Sequence, residues 1–419
     1  MNAERPSDLH ARNIQAIAAY LSSGDKACAC RLGLELEQFV MTDEGASVAY
    51  FGPEGIEDLL RSLRGAYESE IREGAHLIGL ARPGTTLTLE PGAQVEISTG
   101  PFCRIHQLEE SYELFRAEIE AVLQGRGQHL KATGYRPDLR ADEVELIPKD
   151  RYRFMDAHFA RTGSRGRQMM RGSAATQISI DYTGERDAVF KMRVATLIGP
   201  LLALACDSAT RYEGAEASER MIRTMIWDDV DAARAGTVAG LFEPDFGFAA
   251  YARALAAAPL VVEPRADGSY GDCDGTSAAE LYARRLMTRA EIEHLLSMFF
   301  FDVRLKNYVE IRMADSVDIS LALGLTALIK GLFYDADALG RLADLLSLDT
   351  RSAKDVACAK QELRQAGYQG MVYGRSAGSW LDLLVELAQD GLPEEERHYL
   401  DALAGLIVAR RSPRDEVSD

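Results

Sequence analysis

The stretch RLGLELEQFV, residues 31–40, decides how the chain folds. Leu32, Leu34 and Leu36 alternate with Gly33, Glu35 and Glu37, the period of a strand with one apolar and one polar face. On an exposed edge the two carboxylates would simply be solvated. In a buried sheet, carboxylates ~7 Å apart repel each other and require a cation or a donor between them.

Three further segments repeat the design. TLTLEPGAQVEIST (86–99) sets Leu87 and Leu89 opposite Thr88 and Glu90, then, past a Pro-Gly turn, Val95 and Ile97 opposite Gln94, Glu96 and Ser98. ATQISIDY (175–182) sets Ile178 and Ile180 against Gln177, Ser179 and Asp181. NYVEIRMAD (307–315) sets Val309, Ile311 and Met313 against Tyr308, Glu310 and Arg312. These segments predict an antiparallel sheet whose aliphatic face packs on helices. Its other face carries Glu35, Glu37, Glu90, Glu96, Gln177, Glu310 and Arg312. A face merely washed by solvent would mix Lys and Thr with Glu and would need no Pro-Gly break. Five glutamates with no lysine among them must be neutralised, and hard oxygen ligands suit magnesium or manganese. A metal on such a face, with an arginine beside it, clamps a phosphoryl group.

Composition bounds the alternatives. At 419 residues, 47% hydrophobic and 27% charged, the chain is expected to be a soluble globular protein with a large core in one domain or two. Its formal charge of -18 argues against nucleic acid or an anionic membrane as the main partner, while allowing a local basic pocket for phosphate. Cys28, Cys30, Cys103, Cys206, Cys273 and Cys358 form no CxxC pair and have no histidine cluster beside them, so reduced cytoplasmic thiols are expected. The start, MNAERPSDLH, lacks a basic segment followed by an apolar run, so export is not expected. VATLIGPLLALAC (194–206) is too short to cross a bilayer and predicts a buried helix with Pro200 near its start or at a kink.

Helical spacing of Ile105, Leu108, Tyr112, Phe115, Ile119 and Val122 predicts an amphipathic helix over 105–123. Another is expected at 54–67, and two in succession over 318–347. The Gly- and Asp-rich stretch 263–278 reads as a loop whose carboxylates do not match an EF-hand register, and residues 410–419 are expected to fray. Arg171 precedes a Gly-Ser turn, while Arg220, Arg223 and Arg234 surround Trp227 and Asp231 in SERMIRTMIWDDVDAARAG (218–236). Each arginine is open to two readings, a surface charge paired with a neighbour or a two-pronged ligand for carboxylate or phosphate.

GLELE, LEPGAQVEIST, MMRGSAATQISIDY, RTMIWDDVDAARAG and RLKNYVEIRMAD, in this order and spacing, resemble the glutamate–cysteine ligase family of the plant and proteobacterial type. The resemblance covers about residues 30–345, where LIKGLFYD also fits. It implies an α+β fold of the glutamine synthetase-like kind, a curved antiparallel β-sheet forming a funnel-shaped active site surrounded by α-helices. It also implies one catalytic domain over 1–419, with the ligase core at about 30–345 and a helical C-terminal extension at about 346–409. The implied reaction joins the γ-carboxylate of L-glutamate to the amine of L-cysteine through an ATP-derived γ-glutamyl phosphate. Mg2+, or Mn2+ in its place, would be the cofactor and small molecules the partners.

Carried over by motif, Glu35, Glu37, Glu90, Glu96 and Glu310 would hold metal and Arg312 would contact the transferred phosphate. Gln177 and Ser179 would face the nucleotide, and Arg223, Arg234 and Trp227 the amino-acid substrate. EPGAQ stands where the family more often has EPGGQ, a change that only a tight glycine geometry would feel, and WDDVD where it often has WTDTD. The second change keeps open a ligase for a different amine or acid; a catalytically silent binding relative is the third reading. For cysteine, Met221, Met225, Ile226 and Trp227 offer a soft apolar surface, and Asp181, Asp229 and Asp231 are general-base candidates by type and neighbourhood.

Overall fold

The computed structural model describes residues 6–265 and 268–416. Nine strands form its main sheet: β1 (Leu32–Thr42), β2 (Ser69–Glu73), β3 (His76–Arg82), β4 (Thr85–Leu89), β5 (Val95–Phe102), β6 (Gln128–Lys131), β7 (Ala175–Ile180), β8 (Val303–Leu305) and β9 (Val309–Asp315). Their order is β8-β9-β7-β1-β5-β4-β3-β2, with β6 on the far half of β1, and every pairing is antiparallel. Leu32, Leu34 and Leu36 are all buried, so the alternation of the opening stretch does set the two faces of the central strand.

Helices cover the apolar face. Glu185–Ala205 is 21 residues long and packs on β8 and β9. It is longer than the 13-residue run suggested, with Pro200 inside it. By length and apolarity it could cross a bilayer, but 89% of its apolar 18-residue window is buried in the protein, which is why it is apolar all round. Gly199 lets it approach the sheet: a Cβ there would lie 2.1 Å from Met313 Cε on β9. Ile105–Gln124 buries the expected stripe, with Leu123 rather than Val122 facing inward. The predicted pair at 318–347 is Ile319–Tyr334 and Ala336–Leu346, bent by 90° where Asp335 caps the second helix through the Ala338 N–H at 2.8 Å.

One hydrophobic cluster runs from Ile14 to Ile407 and takes in the C-terminal helices. The C-terminal segment does not fray from residue 410 as its composition suggested. Asp415 receives Arg220 at 2.6 Å, and Arg414 donates to the carbonyls of Ala217 and Glu219, which holds the chain to residue 416. Residues 417–419 lie outside the described part. Among the described residues of 263–278, Glu263–Pro264 pairs with Tyr270–Gly271 and Ser277 caps the helix Ala278–Leu281.

Candidate active site

Register assembles the polar face. Glu35 stands opposite Gln177 and Ser98, Glu37 opposite Glu96, Thr88 opposite Glu96, and Glu310 opposite Ser179. Above this face lies a cavity of about 320 Å³, lined by Glu35, Glu37, Glu90, Glu96, Gln177, Arg223, Trp227 and Arg312 among others. A carboxylate oxygen from each of Glu37, Glu90 and Glu96 lies within 4.8 Å of the other two.

Backbone geometry sets the trio. Glu37 on β1 accepts the Ala175 N–H at 2.7 Å and the Gln177 amide at 3.0 Å, while Thr88 donates to Glu96 at 2.6 Å. Glu90 closes a tight turn: its N–H donates to Gln94 O and its carbonyl accepts from Ala93, each at 2.9 Å. Gly92 packs against the neighbouring backbone, where a Cβ would meet Arg171 O at 2.4 Å. The next residue, Ala93, has φ of +66°, so the position at which the chain departs from EPGGQ is one that favours glycine. Ala93→Gly is therefore expected to stabilise the protein by about 1 kcal/mol, read from its urea midpoint. A lower midpoint would contradict the turn geometry.

Among the described residues, no lysine, arginine or histidine nitrogen lies within 4.0 Å of a carboxylate of Glu35, Glu37, Glu90 or Glu96. Burial, followed by the charges of Glu310 and Glu96, pushes the Glu35 carboxyl up to about 7. Burial and Glu90 push Glu96 to about 7, burial with Glu90 and Glu96 holds Glu37 well above the usual range, and burial raises Glu90. One buried carboxylate, Glu37, and the half-buried Glu35, Glu90 and Glu96, mutually repelling and offering oxygen donors only, could hold a hard divalent cation.

Glu310 is the exception. Arg304 bonds both its oxygens at 2.6 and 3.0 Å, Lys306 reaches it at 3.1 Å and Arg312 at 2.7 Å. Burial opposes its ionisation, but these three cations hold it well below the ordinary carboxylate range. It does not join the acidic trio; it is the counter-ion that anchors the cations. Arg312, bonded also to Gln177, presents its guanidinium to the cavity from this anchor.

Arg223 is 4% exposed and has no ion pair among the described residues. One Nη donates to the Arg312 carbonyl at 2.8 Å, its Nε is buried without a partner, and the Trp227 ring lies 5.7 Å away. A buried guanidinium left unpaired at a cavity wall is a receptor for an anion. Arg234 is different. Its Nε is 2.6 Å from Asp231 and its Nη donates to Pro259 O at 2.6 Å, so it braces the loop and is not among the residues lining the cavity.

Ser179 faces a second cavity of about 400 Å³ that shares Glu35 with the first, so Gln177 and Ser179 sit toward opposite ends of one polar face. The three aspartates read as bases stand elsewhere. Asp181 lines the second cavity, Asp229 is bonded by Ser164 and Arg165, and Asp231 is shared by His158 and Arg234. Burial works against Asp231, yet His158 and Arg234 lower it to about 2, too acidic to take a proton from an amine.

Sequence reading also missed residues. Lys149, Arg151, Arg304 and Lys306 line the main cavity, contrary to the expectation of a face without lysine. The signal for two of them lies in RLKNYVEIR, which places Arg304 on a strand whose hairpin partner sets it opposite Glu310, and Lys306 two residues on, just past the end of that strand. Of the expected apolar surface only Trp227 lines the cavity; Met221, Met225 and Ile226 do not, and Met155, Met169 and Met170 complete the wall.

Comparison with known proteins agrees with this geometry. The protein is 28% identical over 416 residues to the chloroplastic glutamate–cysteine ligase of Brassica juncea, covering 96% of this chain and 79% of that one. It is 29% identical over 413 residues to the enzyme of that name from Nicotiana tabacum, covering 96% and 78%. The crystal structure of a glutamate–cysteine ligase from Francisella tularensis in complex with AMP superposes with a TM-score of 0.53 at 12% identity, over 93% of this chain and 84% of that one, which establishes a shared fold. The glutamate–cysteine ligase family 2 profile matches residues 31–419, which takes in every strand of the sheet and every residue of the cavity, and the chain belongs to that family.

Proposed function

We propose that the protein joins the γ-carboxylate of L-glutamate to the amine of L-cysteine, consuming ATP and passing through γ-glutamyl phosphate. The observation that carries this reading is the cavity in which four buried or half-buried glutamates, without an ion pair among the described residues, face Arg223, Arg151 and Arg312. Its relatives from Brassica juncea and Nicotiana tabacum bear the name of that activity. We take the chain as one catalytic domain working in the cytoplasm, the single domain being supported by the continuous core.

The chemistry requires these residue types. A carboxylate resists an amine because its carbonyl is a poor electrophile and its oxygen a poor leaving group; phosphorylation removes both obstacles. Glu37, Glu90 and Glu96, with Glu35 beside them, would hold Mg2+, which when bound neutralises the phosphates of ATP. Arg312, fixed by Glu310 and Gln177, stabilises the phosphoryl group as it moves. Arg223 binds a carboxylate of glutamate, and Arg151, the second guanidinium on the wall without an ion pair among the described residues, receives another substrate anion. Met155, Met169, Met170 and Phe300 keep water from the acyl phosphate. Ser179 and the second cavity extend the same face toward the nucleotide. The reading of a different amine is weakened, because neither Asp228 nor Val230, the two residues by which WDDVD departs from WTDTD, lines the main cavity. Glutamate labelled with oxygen-18 in its γ-carboxylate tests the route: one labelled oxygen must appear in phosphate, and unlabelled phosphate would refute the acyl phosphate.

Proton linkage gives a metal prediction. In the metal-free protein, Glu35 and Glu96 keep protons up to about pH 7 that unfolded glutamates release near 4.5, so the folded state binds more protons in this window. Stability then falls as pH rises through it. A bound cation replaces those protons, so magnesium should raise the melting temperature more at about pH 8 than at about pH 5.5. An equal or larger shift at the acid pH would contradict the ligand set.

A further inference from the structure

Lys360 belongs to the C-terminal helix Ala353–Ala366, beyond the catalytic sheet, yet it is only 6% exposed. Its Nζ lies 2.8 Å from Asp228 and 2.8 Å from Asp302. Burial would drive the ammonium toward neutrality, but the two carboxylates hold it above its ordinary value, so the group is a cation.

Both partners lead to the substrate site. Asp228 ends the helix Ile222–Trp227, which carries Arg223 and Trp227. Asp302 immediately precedes β8 with Arg304, and its carbonyl accepts the Arg312 N–H at 3.1 Å. Arg223 in turn donates to the Arg312 carbonyl at 2.8 Å. Lys360, Asp302, Arg223, Trp227 and Arg312 all line one narrow cleft of about 20 Å³ behind the main cavity.

We propose that Lys360 is a positioning residue for glutamate: by bridging Asp228 and Asp302 it fixes the helix carrying Arg223 against the strand carrying Arg312. The inference rests on the reading of Arg223 as the glutamate clamp. It accounts for the first of the two departures from WTDTD, since an aspartate at 228 supplies the buried ammonium with a second carboxylate. It also gives the C-terminal extension a part in the reaction. The offset between Arg223 and Arg312 sets how the donor carboxylate meets the phosphoryl group, and alignment of that kind is sensitive to shifts of an ångström.

The test uses the full chain with Lys360→Met, Lys360→Arg and Asp228→Thr. Lys360→Met should raise the glutamate KM roughly tenfold or more while the ATP KM stays within about twofold. Lys360→Arg should bring the glutamate KM back to within about threefold of the parent, and Asp228→Thr should give an intermediate rise. An unchanged glutamate KM, an equal loss toward ATP, or no rescue by arginine overturns the proposal. Should Lys360→Met fail to fold, Asp228→Thr leaves Lys360 paired with Asp302 and decides alone: an unchanged glutamate KM there is a refutation. Acrylamide quenching without substrates separates this from failure of the ligase reading. Trp380 is fully buried, so quenching reports Trp227. Loss of the bridge should change it even if the parent protein makes no γ-glutamyl product, and unchanged quenching refutes the positioning role whatever the substrate.

Discussion

Glu37→Gln is expected to lower turnover by roughly a hundredfold or more while the protein still folds. A Glu37 oxygen lies within 4.8 Å of one from Glu90 and one from Glu96, and the amide removes one formal charge from the set meant for the cation. The structural cost is small. Glutamine keeps one acceptor for Ala175 N–H or the Gln177 amide and loses the other, about 1 kcal/mol. Relief of repulsion between buried carboxylates offsets that loss, so the metal-free melting temperature should be unchanged or higher. Steady-state turnover at saturating magnesium, beside a thermal melt, checks both halves. Near-normal turnover would remove Glu37 from the metal site.

Arg223→Lys should raise the glutamate KM by roughly ten- to a hundredfold, with a much smaller change for ATP. The parent guanidinium is buried and free of any carboxylate among the described residues, while one Nη is committed to the Arg312 carbonyl. Its planar fork can therefore make a paired contact with substrate, which a lysine ammonium cannot reproduce. The shorter side chain also gives up the hydrogen bond to Arg312, so some loss in kcat is expected with the change in KM. Initial rates over a grid of glutamate and ATP concentrations separate the two. A larger effect on ATP would move Arg223 to the phosphates.

How much of this was legible in the sequence depends on the kind of signal. Alternation in RLGLELEQFV and its three companions fixes which side chains share a face, because the side-chain period of a strand is two. Glu35, Glu37, Glu96 and Gln177 were therefore found by pattern alone, and register then aligned them. Arg304 and Lys306 also stand two residues apart, but their meaning depends on the hairpin that brings Arg304 against Glu310. Lys149, Arg151 and the methionines at 155, 169 and 170 come from helices and turns whose approach to the cavity has no local signature. Composition also misled: Met221 and Ile226 look like a soft substrate wall but do not line the cavity, and the charged C-terminus looks frayed and is held by Arg220 and Arg414. The Ala93 departure had the opposite fate, for only the turn angle shows why glycine suits that position.

The central claim, that this cavity couples ATP to the joining of glutamate and cysteine, is tested most directly by product mass. Purified protein with ATP, magnesium and glutamate is offered cysteine, 2-aminobutyrate and serine in competition under limiting enzyme, and products and ADP are counted. The account predicts γ-glutamylcysteine as the main product, one ADP for each, with no product when glutamate is omitted. Discrimination against serine should be roughly ten- to a few-hundredfold, the cost of desolvating a hydroxyl against the methionine wall, and 2-aminobutyrate should remain a working substrate. ADP release without an amide product, or a faster reaction with an amine unlike cysteine, would contradict it.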